Sequence, residues 1–291
     1  MRGSRGAAPA VLFVVVGLSC QEIGASLAVL LFPEVGPLGM VMLRLVFSAA
    51  LLLAIARPTF RGYGRGDWLA VAGFGLVLAT MNGLFYLALE RLPLGITVTI
   101  EVLGPLVLSI VASRRASAWL WALLALAGVV ALAGGGWDRL DPLGVLFALG
   151  AAASWAFYIL ASARVGRTFP RLDGLAWAML IGAAIALPFG ILDAGSALLR
   201  WDLVALGAAV AVLSSTIPYA LELIALRRLP AAAFAILMSL APATAALAGF
   251  LLLGQELSPW ELVGIALVIA ASIGAVRASA RAAREAAEPL P

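Results

Sequence analysis

Four charged side chains stand inside apolar runs: Glu22, Arg44, Glu101 and Glu222. A charge in hydrocarbon costs at least ~2.5 to 3.5 kcal/mol at mid-membrane, so each needs a partner or a task. An arginine can hold a carboxylate, or lock a single glutamate in an ion pair that only fastens two helices. One guanidinium cannot fully neutralise two acids. A surplus carboxylate must then hold a proton or bind something cationic, such as a substrate ammonium. Glu101 is the sharpest case. It lies in "TVTIEVLGPLVLSIV" (97–111), with Pro105 four residues further on.

The prolines are a second signal. Pro105 and Pro242 each fall about eleven residues into an apolar run. A proline inside a helix removes one hydrogen bond and frees a carbonyl. In lipid that carbonyl is tolerated only where it faces protein or water. Such breaks mark either a hinge beside a transport site or a kink needed only for packing. Pro218, in "SSTIPYALEL" (214–223), adds a third, with Ser214, Ser215, Thr216 and Tyr219 able to satisfy the backbone or line a cavity. In "SWAFYIL" (154–160), Trp155 and Tyr158 share a helix face, where they can line a pocket or simply pack. There is no His and one Cys, Cys20, which leaves zinc, haem and histidine acid–base chemistry without ligands. No cofactor is expected. No phosphate-binding loop, dinucleotide motif or catalytic triad is present, so neither ATP-driven transport nor an enzyme activity is expected.

These residues must be held by membrane helices. The chain has 291 residues, 64% hydrophobic and 12% charged, with a mean hydropathy of +1.11. That leaves too little polar surface to coat a soluble core. Apolar runs of spanning length recur, and the alternation of a membrane β-barrel is absent. The fold class expected is all-α integral membrane. Ten spans are read, near 9–29, 37–56, 68–89, 94–113, 118–135, 142–163, 173–192, 202–225, 231–253 and 260–277. Short connections imply that consecutive helices are antiparallel neighbours. The N-terminal run is read as an uncleaved first helix rather than a signal peptide.

Every basic residue is Arg. Alternate loops hold fifteen of them against three, and Arg44 lies inside a span. By the positive-inside rule both termini are cytoplasmic, and the +4 formal charge reports topology rather than a nucleic-acid surface. Depth follows from helix rise. Glu22, Arg44 and Glu101 come from three helices yet fall in one layer, roughly 10 Å from the outer surface. Asn82 joins that layer. Glu222 lies within about a turn of the cytoplasmic end of its span, where a long side chain can snorkel.

The chain also repeats. "YLALERLPLGITVTIEVLGP" (86–105) matches "LIALRRLPAAAFAILMSLAP" (223–242) at an offset of 137. Five spans per half is an odd number, so the halves enter the membrane from opposite sides. That is an inverted repeat, as in many secondary transporters. The halves are read as 1–137 and 138–278, with a short cytoplasmic tail at 279–291.

The stretches "GASLAVLLFPEVGPLG" (24–39), "NGLFYLALERLPLGITVTIEVLGPL" (82–106), "SWAFYILAS" (154–162) and "LSSTIPYALELIALRRLP" (213–230) resemble the drug/metabolite transporter superfamily, EamA family, closest to its threonine/homoserine exporter type. The resemblance covers nearly the whole chain. It implies proton-linked export of small amino acids through the bacterial inner membrane by alternating access. Arg44, Asn82, Glu101, Pro105, Tyr219 and Glu222 match the pattern. Glu22 departs from it, since Gln is expected there. Candidate substrate or proton residues are then Glu101, Arg44, Asn82, Glu22, Tyr86, Trp155, Tyr158, Ser215, Tyr219 and Glu222. Pro105, Pro242 and Pro218 are the candidate hinges. Expected partners are a small amino acid, protons and the lipid bilayer, with no nucleic acid. A homodimer stays open. So do a same-fold exporter of aromatic amino acids, nucleotide sugars or drugs, and a membrane subunit that transports nothing.

Overall fold

The computed structural model describes residues 7–113, 117–132, 140–218, 221, 225 and 231–287, with no strand among them. The helices are α1 (Ala7–Val35), α2 (Pro37–Ala56), α3 (Arg65–Leu89), α4 (Leu94–Glu101), α5 (Leu103–Ser113), α6 (Ser117–Leu132), α7 (Pro142–Thr168), α8 (Asp173–Ala194), α9 (Trp201–Ala211), α10 (Ala231–Met238), α11 (Ala241–Leu253) and α12 (Pro259–Ala287). A 3-10 turn (Gly195–Leu199) leads into α9, and a π turn (Val212–Thr216) follows it. Among the described residues, seven helical stretches are long and apolar enough to cross a bilayer. Three shorter apolar ones, Leu94–Leu108, Trp119–Leu132 and Trp201–Thr216, fall where the fourth, fifth and eighth spans are expected. Large apolar side chains such as Leu69, Leu126, Leu146 and Leu251 point outward, as helices solvated by lipid require.

Helix starts follow local chemistry. Pro37 and Pro142 occupy first-turn positions, where a missing N–H costs nothing. Asp141 caps α7 by accepting from the amides of Leu143 (2.8 Å) and Gly144 (3.1 Å). The start of α2 follows Gly36, at φ +72°, which has no side chain to cap it. Asp193, at the end of α8, supplies that cap. It accepts from the amides of Leu38 (2.8 Å) and Gly39 (3.1 Å).

The spans that hold Pro105 and Pro242 are each interrupted ahead of the proline, although the chain stays close to helical there. α4 ends at Glu101 and α5 begins at Leu103; α10 ends at Met238 and α11 begins at Ala241. Val102 and Ser239, in the two gaps, are 137 residues apart, the same offset as the prolines. A proline ring collides with the carbonyl four residues earlier, so the chain opens there. Each proline then sits in the first turn of the next helix. The ring nitrogen of Pro105 cannot donate to the carbonyl of Glu101, nor that of Pro242 to the carbonyl of Met238.

Packing also departs from the expectation that consecutive helices are the main neighbours. α2 packs chiefly on α8, α3 on α7 and α8, α4 on α11, and α6 on α12. Helices from before residue 137 thus interleave with those after it. Two glycines permit the closest crossings. A Cβ at Gly95 would come 2.8 Å from Cα of Ala246, and one at Gly104 would run into the carbonyl of Ala152. These contacts hold α4 and α5, and Glu101 between them, against the other half of the chain.

Candidate functional site

A cavity of about 570 Å³ opens where the breaks meet. α1 contributes Gln21 and Glu22, α2 Arg44, α3 Asn82 and Phe85, α4 Glu101, and α5 Pro105. α7 adds Trp155 and Tyr158, and Ser214, Phe234, Met238, Ser239 and Ser272 complete much of the polar and aromatic wall.

Arg44 is held from behind. Its Nε donates to Ser215 Oγ (3.0 Å), one Nη to the carbonyl of Ser214 (3.1 Å), and the other to the Tyr86 hydroxyl (3.4 Å). The Tyr86 ring lies 5.6 Å from the guanidinium carbon. The Ser214 carbonyl is available because Pro218, four residues on, has no N–H to offer it. The π turn spends the Ile217 amide on Val212 instead. Gly24 lets α1 press against this turn: a Cβ there would come 2.8 Å from Cβ of Ser214. Glu22, two residues before, is thereby brought into the same wall.

Glu22 is 2% exposed, and its Oε2 has no hydrogen-bond partner. Glu101 closes α4 and is half-buried. Neither carboxylate forms an ion pair with Arg44, although Arg44 lies within electrostatic reach of both. The arrangement places one fixed positive charge beside two carboxylates in a space large enough for a small metabolite.

Of the candidates from sequence, Glu22, Arg44, Asn82, Glu101, Trp155, Tyr158 and Pro105 share the cavity wall. Asn82 spends one amide N–H on the carbonyl of Leu78 (2.8 Å). Tyr86 and Ser215 are buried off the wall and act through Arg44. Pro218 is buried against Gly17, and Pro242 is buried at the start of α11. Tyr219 and Glu222 lie outside the described residues. Sequence reasoning passed over Gln21, Ser239 and Ser272. Ser239 had one available signal, its position in the second break. Its hydroxyl donates to the carbonyl of Ala235 (2.9 Å). The Ser272 hydroxyl is buried without a partner. Among the described residues, no three His, Cys, Asp or Glu gather where they could hold a metal.

The sequence pattern of the EamA-like transporter family matches residues 142–277. The threonine/homoserine exporter RhtA of Escherichia coli (strain K12) is 42% identical over 268 residues, covering 91% of this chain and 90% of the exporter. The chain belongs to the EamA-like transporter family. A second member, the threonine/homoserine exporter RhtA of Salmonella typhimurium (strain SL1344), is 41% identical over 266 residues, 91% of this chain and 90% of its own. The uncharacterized transporter YwfM of Bacillus subtilis (strain 168) is 32% identical over 233 residues, 77% and 70% of the two chains. A crystal structure superposes with TM-score 0.59 at 23% identity, covering 92% of this chain and 98% of that one, and speaks to the fold alone. This EamA-family chain is therefore a multi-pass membrane transporter.

Proposed function

We propose that the protein exports small neutral amino acids, threonine- or homoserine-like, across the bacterial inner membrane by proton-coupled alternating access. The carrying observation is the cavity wall, with Arg44 beside Glu101 and Glu22. A neutral amino acid is a zwitterion. Arg44 offers charge to its carboxylate, and Glu101 takes its ammonium or, when the site is empty, a proton. If Glu101 must release its proton to bind substrate, uphill export is linked to proton entry. Two RhtA relatives are named as threonine/homoserine exporters, which supports the substrate class.

The motion belongs to ten spans in two inverted halves, with both termini cytoplasmic. Three features support this reading. The arginines alternate fifteen to three between loops. The breaks recur at one offset. The contacts pair corresponding helices: α2 with α8, α4 with α11, α6 with α12. In this scheme the halves rock about the breaks at Val102 and Ser239. The test is purified protein in liposomes, read by counterflow of labelled threonine and by uptake driven with a pH gradient. Threonine counterflow is expected, and Glu101→Gln is expected to abolish the gradient-driven part while the protein still purifies as a folded monodisperse species. Undiminished gradient-driven flux in that variant overturns the role of Glu101. Absence of counterflow in the unaltered protein overturns the substrate class.

A further inference from the structure

Resting on that reading, the charge inventory of the cavity carries a more specific conclusion. Among the described residues that line it, two carboxylates, Glu22 and Glu101, meet one guanidinium, Arg44. A neutral amino acid brings one ammonium and one carboxylate. It can match Arg44 and one acid, leaving the other acid over. Glu22 is the one set apart. Its Oε2 is buried and accepts no hydrogen bond, whereas Glu101 is only half-buried. A buried acceptor left without a donor costs free energy unless a ligand supplies one. Phe85, Trp155 and Phe234 add aromatic surface to the wall, which suits a cationic side chain on a short apolar stem.

We infer that Glu22 forms a second cation subsite, so that the cavity takes dibasic amino acids as well as neutral ones. A dibasic amino acid carries two ammonium groups and one carboxylate. That set is complementary to two carboxylates and one guanidinium. The α-ammonium meets Glu101, the α-carboxylate meets Arg44, and the side-chain ammonium reaches Glu22. A neutral substrate leaves Glu22 to be filled by a proton.

The test uses the full-length protein in liposomes, with counterflow of labelled ornithine and labelled threonine measured side by side. Ornithine is expected to be carried and to compete with threonine. In Glu22→Gln the ratio of ornithine to threonine counterflow should fall by about tenfold or more, the worth of one hydrogen bond to a charged group. Glu22→Asp should recover part of that ratio. An independent reading is thermal unfolding of the unaltered purified protein, where ornithine should raise Tm more than threonine at equal concentration. If threonine is carried but ornithine is neither carried nor competing, the inference is overturned and Glu22 is a proton site only. An unchanged ratio in Glu22→Gln also overturns it. Ornithine counterflow without threonine counterflow upholds the subsite and overturns the neutral-substrate reading instead.

Discussion

The break between α4 and α5 carries Glu101 at its edge, whereas the break between α10 and α11 carries Met238 at the corresponding place, 137 residues later. The backbone event is the same in both. A proline denies its N–H to the carbonyl four residues back, and the helix restarts around it. The side chains differ. One opening presents a carboxylate to the cavity. The other presents a thioether, beside a serine whose hydroxyl is spent on Ala235. Opening the backbone and charging the opening are thus separate devices, and only one half of the chain uses both.

The comparison can be broken most directly by side-chain exchange. Glu101→Gln should abolish gradient-driven threonine flux, since an amide cannot carry the coupling proton, while Met238→Leu should leave it nearly unchanged. Equal losses would mean that the breaks matter and the carboxylate does not. Arg44→Lys comes next. A lysine cannot bridge the Ser214 carbonyl and Ser215 Oγ as the planar fork does, so flux should fall about tenfold. An unaltered rate would remove Pro218 and its freed carbonyl from the account. The glycine beside the first break is read in stability rather than flux. Gly104→Ala drives a Cβ into the carbonyl of Ala152 and should cost about 3 kcal/mol or more in thermal or denaturant unfolding. Its counterpart already has a Cβ, as Ala241, so Ala241→Gly should cost only about 0.5 kcal/mol. Pro105→Ala and Pro242→Ala return an N–H to the carbonyls of Glu101 and Met238 and let the helix close across each opening. Counterflow should slow by matching amounts, and a marked inequality would show that the breaks do not act as a pair.

Much of this was legible before any coordinates. The charged positions were countable on helices of known rise, which placed Glu22, Arg44, Asn82 and Glu101 in one layer. The cavity wall contains all four. The prolines flagged the two breaks, although the chain parts about three residues ahead of each ring, because the clash lies in the preceding turn. What sequence could not give was tertiary. Ser272 sits in an apolar helix and reads as neutral, since its hydroxyl could equally have bonded its own backbone. Asp193 reads as a loop acid until α8 brings it to the amides of Leu38 and Gly39. Tyr86 reads as a cavity residue, yet it stands behind Arg44 and steadies it. The interleaving of the halves was equally hidden, because loop length fixes direction but not partner.

The hydrogen bonds behind Arg44 have a consequence in time. Ser214 and Ser215 are joined to the chain 170 and 171 residues after the guanidinium they receive. At ordinary elongation rates that interval is roughly 10 to 30 s. During it the ribosome has delivered a charged side chain into the membrane ahead of two of the groups that will hold it. A chain arrested before the π turn is made should therefore hold α2 less firmly than the finished protein does.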